Sequence, residues 1–82
     1  MDLDEFERRV SDARLGRWVY TGAPRGSSSD KVCVYQQDGD WQYVITDERA
    51  GVIEQTRRRF ATESEALEGA LEAAEDLKAI LT

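Results

Sequence analysis

Eighty-two residues carrying 17 acidic and 11 basic side chains, a net charge of −6 and no histidine narrow what this chain can be. The length fits one compact domain and leaves no second lobe to form an interdomain cleft. The acidic balance repels polyphosphate backbones and favours basic partners. The lack of histidine removes the commonest proton carrier near neutral pH and the commonest zinc ligand.

The single cysteine, Cys33, excludes an internal disulfide and a multi-thiolate metal site. A small domain without a covalent staple suits a reducing compartment. The charged opening MDLDEFERRV has no signal-like apolar run, and no stretch reaches membrane-spanning length. A cytoplasmic location with no membrane partner is therefore expected.

Along the chain, Leu3, Phe6, Val10 and Ala13 recur at helical spacing, with Asp2 or Asp4 placed to cap the first turn and Gly16 to stop the helix. Trp18-Val19-Tyr20 is compatible with an extended segment but too short to establish one. Residues 21–30, TGAPRGSSSD, hold the only proline, two glycines and three serines in a row, which predicts a flexible loop.

Lys31 to Gln37 and Trp41 to Thr46 read as strands joined through Asp38-Gly39, the pair suited to a two-residue type I′ turn. That turn sets the register. Gln36 faces Trp41, Val34 faces Tyr43 and Val32 faces Ile45 on the more apolar side, which should meet the helices. Cys33, Tyr35, Gln42, Val44 and Thr46 fall on the other side. Asp47-Glu48-Arg49-Ala50-Gly51 reads as a turn closed by a positive φ at Gly51. Val52 to Phe60 follows as a third strand whose alternation fails beyond Thr56.

Thr62-Glu63-Ser64-Glu65 has the pattern of a capping box, and Leu67, Ala70, Leu71, Ala74, Leu77 and Leu81 form one helical stripe behind it. Gly69 interrupts that helix at a cost of about 1 kcal/mol relative to alanine unless close packing requires it. Glu68, Glu72, Glu75 and Asp76 occupy the opposite face. The expected fold is α+β: a helix, a three-stranded antiparallel meander and a second helix in two layers, one domain over residues 1–82.

Catalysis finds little support in these residues. Cys33 has no histidine to activate it, the serine run has no base, and adjacent carboxylates on a turn rarely form an acid–base pair. No phosphate loop or calcium-loop spacing is present, so neither cofactor nor metal is expected. Helix–meander–helix is also the element order of double-stranded RNA-binding domains, but the start of the last helix, where that class needs bases, reads Thr62-Glu63-Ser64-Glu65. Arg57-Arg58-Arg59 is a basic cluster best explained by pairing with nearby carboxylates.

Protein binding is the stronger reading. Trp41 falls on the core side, whereas Trp18, Tyr20 and Tyr35 are open to either placement, and exposed aromatics anchor interfaces. The candidate contacts are Tyr35, Glu48 and Arg49 on the turn between two strands, and Glu68, Glu72 and Glu75 on the last helix.

The run Trp41-Gln42-Tyr43-Val44-Ile45-Thr46-Asp47-Glu48-Arg49-Ala50, followed by Phe60 and by Glu65-Ala66-Leu67 in an acidic terminal helix, resembles the immunity protein 59 family of bacterial polymorphic toxin systems. The resemblance covers Lys31 to the end, and the Asp-Glu-Arg-Ala turn after an aromatic strand is its most specific part. It implies a protein that binds and neutralises a cognate toxin domain, with the acidic surface speeding the encounter with a basic site. A double-stranded RNA-binding-like module or a small regulatory adaptor are the alternatives.

Overall fold

The computed structural model describes residues 1–82. Helix α1 (Leu3–Asp12) is followed by a 3-10 turn (Gly16–Trp18), strands β1 (Val19–Thr21), β2 (Val32–Gln37), β3 (Asp40–Thr46) and β4 (Val52–Phe60), and helix α2 (Glu63–Leu81). The α+β class and the helix–sheet–helix order hold, but the sheet has four strands in the order β1-β2-β3-β4. It is mixed, because β1 lies parallel to β2 while β2, β3 and β4 run antiparallel. The expected three-stranded antiparallel meander is thus corrected by one short edge strand. Three residues display no alternation, and a parallel partner is reached without a hairpin turn, so β1 left no local signature.

The central hairpin has the expected register, with Val32, Val34 and Gln36 opposite Ile45, Tyr43 and Trp41. Both turn residues are left-handed, Asp38 at φ 53° and Gly39 at φ 84°, as a type I′ turn demands. Both helices lie on the Val32–Val34–Tyr43 side. There Phe6, Leu15, Trp18 and Leu67 pack on the sheet, and Ala66, Ala70 and Ala74 let the axis of α2 come close. Each large side chain buried this way contributes about 1.5–3 kcal/mol.

Asp2 caps α1, accepting from the Glu5 amide at 2.9 Å. The helix stops before Gly16: Arg14 takes the left-handed conformation at φ 58°, and the Leu15 amide returns to the Val10 carbonyl. That turn drives Leu15 into the core, a role its isolated position in the sequence did not disclose. In α2 Thr62 is the N-cap: its hydroxyl accepts from the Glu65 amide at 3.2 Å and donates to the Glu65 carboxylate, which thus reaches back to the cap's side chain and not to its backbone amide.

The face opposite the helices is also closed. Cys33, Tyr35 and Val44 form a second small cluster there, with Tyr20 against them. The 22–31 segment, which must carry the chain from the end of β1 back to the start of β2, is anchored on this face. Ser28 is buried and its carbonyl accepts from the Thr46 hydroxyl, while the Arg25 guanidinium donates to the Tyr20 hydroxyl at 3.1 Å. Thr46 also receives the Lys31 amide at 3.0 Å. Burial raises the pKa of the Cys33 thiol, and a hydrogen bond with Ser28 offsets part of that.

Candidate functional site

Strand β4 explains its own poor alternation. Between the Ile45–Ile53 and Tyr43–Arg58 pairs, β3 contributes Val44 alone, while β4 contributes Glu54, Gln55, Thr56 and Arg57. The excess of three residues forms a bulge larger than the usual two-against-one kind. The Thr56 hydroxyl closes it, accepting from the Ile45 amide at 2.8 Å and donating to the Ile53 carbonyl at 2.6 Å, in place of a backbone rung.

The bulge distributes the three arginines. Arg57 turns to the face away from the helices, where it makes two contacts with Glu54 at 2.9 Å and donates to the Tyr35 hydroxyl at 2.8 Å and to the Gln42 side-chain carbonyl. Its charge is locked on, because the Glu54 carboxylate and then the Tyr35 hydroxyl raise its pKa further. Arg59 lies 3.7 Å from Asp40. Arg58 alone turns to the helix side and forms no ion pair.

Tyr35 is therefore not a free aromatic. It is buried, and its hydroxyl is committed to Arg57. Trp18 is buried as well, Tyr20 is half-buried, and Trp41 packs at the margin of the main core.

The Asp47 turn is closed by its own side chain. The carboxylate accepts the amides of Arg49 at 2.9 Å and Gly51 at 2.8 Å, and the Asp47 amide donates to the Gly51 carbonyl. Those two amides, Gly51 first, hold the Asp47 carboxyl below its ordinary pKa. Ala50, at φ 62°, takes the left-handed position expected of Gly51. Gly51 matters in a different way, since a β-carbon there would stand 3.0 Å from the Asp47 carboxylate and press it away from the turn amides. Glu48 and Arg49 project into solvent at the tip and enter no ion pair.

Helix α2 holds the molecule's charge excess. Glu63, Glu65, Glu68, Glu72, Glu75 and Asp76 are six of the 17 acids, against one base, Lys78, so the helix accounts for five of the six net negative charges. Lys78 is turned toward α1, where it donates to the Ala13 carbonyl at 3.2 Å. None of the molecule's three ion pairs includes an α2 carboxylate. Glu68, Glu72 and Glu75 thus share one exposed, unneutralised face, whose field reaches about one Debye length, roughly 8 Å, into physiological solvent.

Beside that face, α2 and β4 enclose a groove of about 600 Å³. Tyr43, Phe60, Ala73 and Leu77 make its apolar floor, Glu72 and Asp76 stand on the α2 side, and Arg58 stands on the β4 side. The bulge residues Gln55 and Thr56 line the groove on the β4 side, and Gly69 and Ala73 on the α2 side. A β-carbon at Gly69 would lie 2.7 Å from the Phe60 ring, so this glycine is required by packing. No three cysteine, aspartate or glutamate side chains come together in a way that could hold a metal ion. No helix is long and apolar enough to cross a membrane. Comparison with protein-family models, with curated proteins and with solved structures finds no match for this chain.

Proposed function

We propose that this protein is an immunity-type inhibitor, which binds a toxin domain through the acidic outer face of α2 and blocks it by steric and electrostatic complementarity. The observation that carries the reading is the uncompensated charge of α2: five net negative charges on one helix, none of them in an ion pair. Such a face attracts a basic surface from a distance and raises the association rate more than the final affinity. The likeness of the 41–50 run to the immunity protein 59 family supplies the biological role. On this reading the protein acts by occupying a surface and performs no chemistry, and its place is the cytoplasm of the producing cell.

Duplex RNA has less in its favour as a partner. Arg57 and Arg59 already face carboxylates, and Glu63 and Glu65 occupy the first turn of α2. The decisive experiment asks whether the reading frame beside the gene encodes a toxin domain, and co-expresses that domain with this protein. Cells survive the toxin only when this protein is present, and the two proteins co-purify. A toxin that kills equally in its presence, with no complex recovered, rejects the proposal. Binding of duplex RNA that weakens steeply with salt would replace it with the nucleic-acid reading.

A further inference from the structure

The groove between α2 and β4 is chemically distinct from the outer acidic face. Its floor is aromatic and aliphatic, and the Tyr43 and Phe60 rings meet there with centroids 5.8 Å apart. At its far end Ile80 is the most exposed large apolar side chain in the molecule, at 77 %. From Gly69 to Ile80 the helix advances about 16 Å, close to three turns of a second helix laid alongside. Apolar surface of this kind, bordered by polar side chains and open to solvent, fits the groove that receives the apolar face of an amphipathic helix.

The charge of the rim selects among such helices. Glu72 and Asp76 are one turn apart on the α2 side and have no ion-pair partner, whereas the β4 side offers one free cation, Arg58. The rim is therefore net negative and complements a basic helix. Arg58 is the only group placed to oppose that occupant.

We infer that the groove is the docking site for a basic amphipathic helix of the partner protein, its aliphatic side chains on Phe60, Ala73, Leu77 and Ile80 and its arginines or lysines toward Glu72 and Asp76. This rests on the protein-binding reading above and adds the occupant and its seat. It also gives opposite signs to substitutions on the two walls: removing acid weakens binding, and removing Arg58 strengthens it.

The test uses the full chain and a short synthetic helix of leucine, arginine and glutamine with leucine at three- to four-residue spacing. A scrambled peptide of the same composition and a version with glutamate for arginine serve as controls. Backbone amide shifts should move along Tyr43, Phe60 and residues 69–80 with the patterned basic peptide alone. Glu72→Gln with Asp76→Asn should lower its affinity roughly three- to tenfold, and Arg58→Ala should raise it about twofold. Ile80→Ser, at an exposed position, should lower it about threefold without unfolding the protein. Equal binding of the scrambled peptide, shifts centred on Glu68 and Glu75, or an unchanged affinity in Arg58→Ala would overturn the inference.

The same variants separate the two claims in cells. Loss of protection in Ile80→Ser, which leaves every carboxylate of α2 in place, supports the groove. Protection that survives in that variant and disappears on reversing Glu68 and Glu75 overturns the groove and leaves the immunity reading standing. A protein that never protects, yet binds the patterned peptide in the groove, loses the immunity reading and keeps the docking site.

Discussion

Asp47 is a carboxylate whose whole hydrogen-bonding effort goes into one turn, through the amides of Arg49 and Gly51. Those bonds favour the ionised form, so its pKa in the folded chain is lower than in the unfolded chain. The stabilisation is then present above the ordinary aspartate pKa and is lost as pH falls through the lower, folded value. Asp47→Asn should lower the thermal midpoint at about pH 7 and leave it closer to wild type at about pH 2, where the native carboxyl is protonated too. Thermal melts across that range check it; an equal loss at both ends would show that the carboxylate charge is irrelevant. The sequence marked this turn but assigned the positive φ to Gly51, because glycine is its usual bearer. Ala50 takes it since the paired amides of the Asp47 ring dictate the backbone, a constraint that no single residue type announces.

Elements whose signals are local were legible in the chain. The Asp38-Gly39 turn and the period-two pattern fixed β2 against β3, and the Thr62 N-cap fixed the start of α2. Elements that depend on distant partners were not. β1 exists only because β2 lies beside it, and the β4 bulge exists because the Thr56 hydroxyl replaces a backbone rung. Two substitutions test these packings. Gly69→Ala gains helix propensity of about 1 kcal/mol but drives a methyl into the Phe60 ring, and overpacking of about 1–3 kcal/mol should make the net effect destabilising by roughly 1 kcal/mol. Urea unfolding reads the sign, and a stabilised variant would show that the ring yields freely. Thr46→Val keeps the shape of the side chain but strips the Ser28 carbonyl and the Lys31 amide of a partner. It should cost about 1–3 kcal/mol and speed amide exchange across residues 22–31 while β3 stays protected. Unchanged exchange in that segment would mean that Thr46 does not hold it to the sheet.

Over the whole molecule, charge is divided unevenly across an apolar groove, with the acidic α2 on one side and Arg58 of β4 on the other. Composition disclosed the acid excess, and helical spacing placed Glu68, Glu72 and Glu75 on one exposed face. The groove was hidden, because it lies between residues far apart in sequence, Gln55, Thr56 and Phe60 of β4 on one side and Gly69 and Ala73 of α2 on the other. The placement of Tyr35 stayed open for a similar reason: its hydroxyl is held by Arg57, which the bulge sets on that face. An acidic face that works by attraction at a distance makes a kinetic claim, and on the proposed immunity reading the association rate with the cognate toxin domain tests it most directly. Wild type should associate at least about tenfold faster at low than at high ionic strength, and reversing Glu68, Glu72 and Glu75 to lysine should abolish that dependence and slow binding. A rate indifferent to both salt and charge reversal would contradict the account.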